Sequence, residues 1–310
     1  MSGVVSGFFT IWVVIGAGWL AAHLRVLSTT GQEVLAKVAF FIASPALLFV
    51  IVAESDVSKG FSTTFAVNAL AALAAMGLFL VVGRAWLKLD NISLLMGATA
   101  SGYVNAANLG IPIALFVLNN IDWLPPLLLL QVAVLQPLVL TLLDIERSRS
   151  EQRKISMLAN LTLPLRNPMT LGVLAGLIVN VADIRVPELV LGPVRLLGDM
   201  SVPAMLVAFG ISLRLGPLPG RGENTRAAVV ASLIKLVVHP VIALLLALAF
   251  GLDRFHTLVA MVVAGLPTAQ NVFVWAVRYG RAVVLVRDTV FITTIGSILT
   301  VGLIAVLGQG

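Results

Sequence analysis

The sequence predicts an all-α polytopic membrane protein of ten transmembrane helices, arranged as two inverted five-helix repeats with helices 4 and 9 broken. Three observations predict it: the composition, the spacing of the apolar runs, and Pro/Gly motifs that recur in order in both halves. Hydrophobic residues make up 59% of the 310 positions and charged residues only 11%, with a mean hydropathy of +1.06. A soluble domain carries about a quarter charged residues to keep its surface wet, so lipid must solvate most of this one.

A crossing helix needs about 20 mostly apolar residues. On that ruler, spans fall near 6–24, 34–53, 62–83, 92–118, 123–143, 167–182, 188–212, 227–250, 257–278 and 286–308. The first run, from Phe8 to Ala22, lacks a basic leader and a small-residue cleavage site, and reads as a retained span. The polar link from Asp144 to Asn167 then separates a first repeat (1–143) from a second (167–310), with 144–166 as a cytoplasmic linker.

Charge orients the spans. With the amino terminus outside, 14 basic residues fall in alternate loops: Arg25, Arg84, Lys88, Arg147, Arg149, Arg153, Lys154, Arg166, Arg214, Arg221, Arg226, Arg278, Arg281 and Arg287. The opposite loops hold only 3, Lys59, Arg185 and Arg254. Positive charge stays inside, so both termini are expected to face away from the cytoplasm of an inner (plasma) membrane. The net charge of +6 is thereby spent on topology, and no continuous basic patch suggests nucleic acid. Trp12, Trp19, Trp86 and Trp123 suit interfacial anchoring, and Glu54 and Asp56 read as solvated outer-loop charges.

The repeat shows in two motifs. Pro45-Ala46-Leu47-Leu48 of span two matches Pro203-Ala204-Met205-Leu206 of span seven, and Gly110-Ile111-Pro112 of span four faces Gly265-Leu266-Pro267 of span nine. An odd number of spans per unit forces the second copy to insert upside down, an arrangement common among secondary transporters.

The chemistry concentrates in spans four and nine. Asn105, Asn108, Gly110 and Pro112 sit in one, and Gly265, Pro267, Thr268, Gln270 and Asn271 in the other. Proline deletes a backbone donor, and broken helix in lipid survives only where it is buried or lines a cavity. Each Pro suits the first position of a second half-helix, whose free N–H groups and positive dipole end would make an anion site. The carboxamides add donors without a full counter-charge, which suits a carboxylate that must be released again. Simple kinks and interhelical glue are the bland alternative.

Two further pairs are ionisable within spans. Arg195 and Asp199 are expected to pair along span seven, and Lys235 and His239 along span eight. They either neutralise one another and snorkel, or serve transport: Asp199 and His239 by exchanging protons, Lys235 by offsetting substrate charge.

These motifs resemble those of the auxin efflux carrier family. Asn105 through Pro112 is similar to the family's fourth-helix motif, an Asn five residues before Gly-Ile-Pro. Leu266-Pro267 followed by Val272-Phe273-Val274-Trp275-Ala276 and Tyr279 is similar to its ninth-helix motif, and Asp199 falls where several members carry Asp. The resemblance runs over essentially the whole chain. It implies the bile-acid-symporter/antiporter-like architecture, in which broken helices 4 and 9 cross at mid-membrane beside the substrate site, with Asn105 as a contact. A homodimer is also implied. Where plant members carry a second Pro this chain has Val272, and the central loop is short, which favours the bacterial branch.

The expected function is a secondary transporter of small organic anions, carboxylates such as malate or malonate or auxin-like aromatic acids, working by elevator-type alternating access. A cation/proton antiporter or channel on the same crossover is the alternative, but such sites place acidic side chains at the break. No cofactor is expected: cysteine is absent, three histidines form no metal spacing, and there is no phosphate-binding GxxxxGK[ST] loop. No cluster of Asp, Glu or His points to an enzyme.

Overall fold

The computed structural model describes residues 2–54, 62–110, 118, 123–150, 167–222 and 224–309. Every regular element among them is helical. We number the helices α1 (Ser2–His23), α2 (Thr29–Ala53), α3 (Thr63–Ala85), α4 (Asn91–Gly102), α5 (Pro126–Arg149), α6 (Pro168–Val181), α7 (Glu188–Leu215), α8 (Thr225–Ala249), α9 (Arg254–Gly265), α10 (Gln270–Tyr279) and α11 (Val283–Gln309). Six of them, α2, α3, α5, α7, α8 and α11, are long and apolar enough to cross a membrane. Large apolar side chains such as Leu189 (88% exposed) and Leu299 (76%) point outward, as lipid contact requires.

Helix starts follow local chemistry. Asp90 accepts hydrogen bonds from the backbone N–H groups of Ile92 and Ser93, and Asp253 accepts one from His256. Each caps a helix of 12 residues, α4 and α9 respectively. Burial alone would raise the Asp90 carboxyl, but bonds from Ser93 and the nearby Arg281 outweigh it and hold it below the usual range. Asn167 caps α6 by accepting from Met169, with Pro168 at the first helical position. The fifth span continues helical through Ser150, into the stretch read as linker, and Glu151, Arg153, Lys154 and Arg166 lie outside the described residues.

Among the described residues, π-helical turns interrupt the regular winding at Ala39–Ala43 in α2, Ala106–Gly110 after α4, Leu130–Leu135 in α5 and Ile234–Val238 in α8. Such a turn rotates every side chain beyond it to a new face.

The helices sort into two bundles. In one, α1 packs on α7 and α6 on α2, with α2 also against α7. In the other, α3, α4, α8, α9 and α11 pack together, while α5 and α10 reach across to the first. Glycines set the close approaches in the first bundle. A Cβ at Gly18 would overlap the Val207 carbonyl oxygen, one at Gly210 the Ile15 carbonyl oxygen, and one at Gly172 the Pro45 carbonyl oxygen. Small residues let membrane helices touch backbone to backbone. Gly210→Ala is therefore expected to cost about 1–3 kcal/mol through overpacking. It should lower the thermal unfolding midpoint, whereas Gly77→Ala, with open space around it, should not.

In this bundle the Ser44 and Ser201 hydroxyls are 2.8 Å apart, Ser44 directly before Pro45 and Ser201 two residues before Pro203 of the motif shared by spans two and seven.

Candidate functional site

The polar residues of spans four and nine meet where two helices stop. Helix α4 ends at Gly102, and Tyr103 turns to extended backbone (φ −79°, ψ 113°). Helix α9 ends at Gly265, the chain is extended at Ala269 (φ −71°, ψ 140°), and α10 begins at Gln270. The two extended stretches cross antiparallel and pair as a minimal ladder at Val104 and Thr268. The Asn105 N–H donates to the Pro267 carbonyl at 2.8 Å, and the Ala269 N–H to the Tyr103 carbonyl at 3.3 Å. Each break thus satisfies backbone groups that the other leaves open, as burial demands.

Side chains complete the lock. The Thr268 hydroxyl donates to the Ala100 carbonyl (2.6 Å), and its N–H donates to the Thr293 hydroxyl on α11 (3.1 Å). Gln131 Nε2 donates to the Val104 carbonyl at 2.9 Å. Asn105 Nδ2 donates to Gln270 Oε1 at 2.6 Å, joining the two breaks directly. Tyr103 stacks edge-on against Trp275.

Beside the crossing lies a cavity of about 70 Å³ between the two bundles. Asn105, Gln270 and Asn271 line it together with Ser44 and Ser201 of the first bundle and Gln131 and Gln136 of α5. No Asp, Glu, Lys or Arg is among the described lining residues. Ala269, the residue before α10, has no side-chain oxygen to cap the helix, so the positive end of α10 opens at the cavity wall.

Of the residues singled out from sequence, Asn105, Gln270 and Asn271 come together at this cavity. Thr268 is a fully buried lock residue, and Pro267 takes part through its carbonyl. Gly265 faces Ile304, Thr300 and Val301 of α11, and Gly110 faces Leu124 and Trp123. The side chain of Asn108 and the whole of Pro112 lie outside the described residues.

Three expectations are corrected here. Pro267 does not open the second half-helix: it lies in the extended break, and α10 begins at Gln270. Gly110 and Gly265 do not correspond, because Gly265 ends α9 as Gly102 ends α4, while Gly110 closes the π turn beyond the break. Arg195 does not pair with Asp199, since its guanidinium reaches Glu54 and Glu188 instead (3.0 Å to Glu188). Glu54 is still 46% exposed, as expected of a solvated charge, but is also an ion-pair partner; Asp199 is exposed on α7, and Asp56 lies outside the described residues.

Lys235 and His239 do associate. Lys235 Nζ stands 2.9 Å from His239 Nδ1 and donates to the Ala264 carbonyl at 2.8 Å, and both side chains are buried. The amine thus meets the carboxyl end of α9, where helix carbonyls lack intrahelical partners and the dipole is negative.

Sequence reasoning missed Gln131 and Gln136. Their signal was two amides in an apolar span, five residues apart. On an α-helix that spacing puts them on different faces, but the π turn closes with the Gln136 N–H donating to the Gln131 carbonyl and stacks them on one.

Interrupted helices crossing beside a polar, uncharged cavity, in an otherwise apolar helical chain, define a membrane transport protein. The chain belongs to the family described as Membrane transport protein, matched over residues 4–305, which is the auxin efflux carrier family its motifs resemble. It is also 28% identical to a "Putative malonate transporter" of Rhizobium meliloti (strain 1021), over 100% of this chain and 97% of that protein. These proteins are transporters and not enzymes.

Proposed function

We propose that the protein is a secondary transporter of small organic anions, with the carboxylate bound at the crossing. The single observation that carries this reading is an uncharged cavity walled by the amino end of α10 and by the Asn105–Gln270 pair. Backbone donors and a helix dipole favour an anion there. A cation antiporter or channel would want a carboxylate at the break, and none is among the described lining residues.

Size narrows the cargo. An engineered cavity of about 150 Å³ accepts benzene, and this one is near 70 Å³. Short aliphatic acids are favoured over auxin-like aromatic ones, in keeping with the relative named "Putative malonate transporter".

A ten-span inverted repeat would support alternating access, with its crossings supplied by the six long helices, the 22-residue α1, the shorter α6 and the two interrupted segments. The bundle of α1, α2, α6 and α7 would stay fixed while the other, carrying the crossing, moves along it, with both termini outside the inner membrane. Lys235 compensates charge behind the anion site, held by its bond to Ala264. His239, its neighbour, is the candidate for coupling to protons.

Purified protein screened by thermal shift against mono- and dicarboxylic acids tests the reading. Short acids should raise the midpoint of the wild type and leave Asn105→Ala unmoved. A wild type that ignores every acid, or a variant that responds equally, would refute it.

A further inference from the structure

The cavity holds a donor that the crossing does not use. Gln136 is 1% exposed and lines the cavity, yet its Nε2 has no hydrogen-bond partner among the described residues. A buried amide N–H₂ left open costs free energy comparable to a lost hydrogen bond, so its place calls for a ligand acceptor. Its neighbour on the same face, Gln131, is already committed to the Val104 carbonyl.

Gln136 belongs to α5, whereas the Asn105–Gln270 pair and the uncapped end of α10 belong to the crossing. The cavity therefore presents donors from two separate elements. The rest of the lining includes apolar side chains, Leu128, Val132 and Met205 among them. A ligand that satisfies both sets carries an acceptor at each end and a short apolar middle.

Resting on the carboxylate reading above, we propose that the site is two-ended: the α10 amino end and the Asn105–Gln270 pair take one carboxylate, and Gln136 Nε2 takes a second. The preferred cargo is then a short aliphatic dicarboxylate, and Gln136 is the residue that separates di- from monocarboxylates. The cavity's size limits the carbon chain between the two ends to very few atoms.

Thermal-shift titrations of the full-length protein with malonate and with monomethyl malonate test this, because the ester keeps one carboxylate and blocks the other. The wild type should bind malonate more tightly. Gln136→Leu should lose about 10- to 100-fold for malonate, the range of a hydrogen bond to a charged group, and little for the ester. Gln136→Glu, which keeps the length and adds a negative charge, should lose more for malonate than for the ester and guards against misfolding of the first variant. Equal affinity of the wild type for the two ligands, or equal losses in both variants, overturns the two-ended site while leaving the carboxylate reading intact. A wild type that binds neither overturns both.

Discussion

Asn105→Asp is expected to weaken carboxylate binding by roughly a thousandfold while leaving the protein folded. The fold should survive because the backbone link from Asn105 N–H to the Pro267 carbonyl does not involve the side chain. The Asn105 amide donates to Gln270 Oε1, and a rotated Gln270 amide can donate back to the new carboxylate. What cannot be repaired is the charge. The substitution places a full negative charge where the anion binds, in a cavity with no cation among its described lining residues. Two like charges about 4 Å apart at an effective dielectric near 20 repel by about 4 kcal/mol, or roughly three decades in affinity. Uptake into vesicles and ligand-induced thermal shift should both vanish. Retained anion binding would show that the crossing is not the site.

The second large effect is expected outside the cavity lining, at the start of α11. Arg287 and Asp288 are almost fully buried, with side chains 2% and 0% exposed. The Arg287 guanidinium bonds Asp288 Oδ1 at 2.5 and 2.8 Å and reaches the Ser212 carbonyl, while Asp288 Oδ2 accepts from the Gly220 N–H at 2.9 Å. The pair therefore ties α11 to the end of α7 and to the turn that follows it. Removing one member of a buried pair leaves an uncompensated charge and costs about 3–5 kcal/mol. Asp288→Ala should unfold at a markedly lower temperature, whereas the double replacement Arg287→Met/Asp288→Leu should recover most of the loss, because both desolvation penalties disappear together. A single variant as stable as the wild type would mean that the Arg287 charge finds water.

Arg287 also illustrates what a sequence can mislead about. Counted by position it is one more basic residue of an inward-facing loop, yet the helix begins at Val283 and carries it inside. The same holds for Arg195, whose partners Glu54 and Glu188 include one from the end of α2, far away in the chain. Helical spacing offers Asp199 four residues on and Glu188 two turns back, and cannot point to Glu54 at all. Lys235 and His239, four apart on one helix, did meet, because their relation is local.

The sequence by itself determined that this is an apolar helical protein solvated by lipid, and that spans four and nine are interrupted near Asn105 and Pro267. Those properties follow from composition, from the length of apolar runs and from what proline and glycine do to a backbone, all of them local. It also singled out Asn105, Gln270 and Asn271 through their cost in a membrane. Only the tertiary structure decided that Val104 pairs with Thr268, that Thr268 locks and does not line, and that Gln136 faces the cavity. The first two depend on how one break is offset against the other, which no single helix encodes. The third depends on one π turn, whose extra residue rotates everything after it and leaves no mark in the hydrophobic pattern.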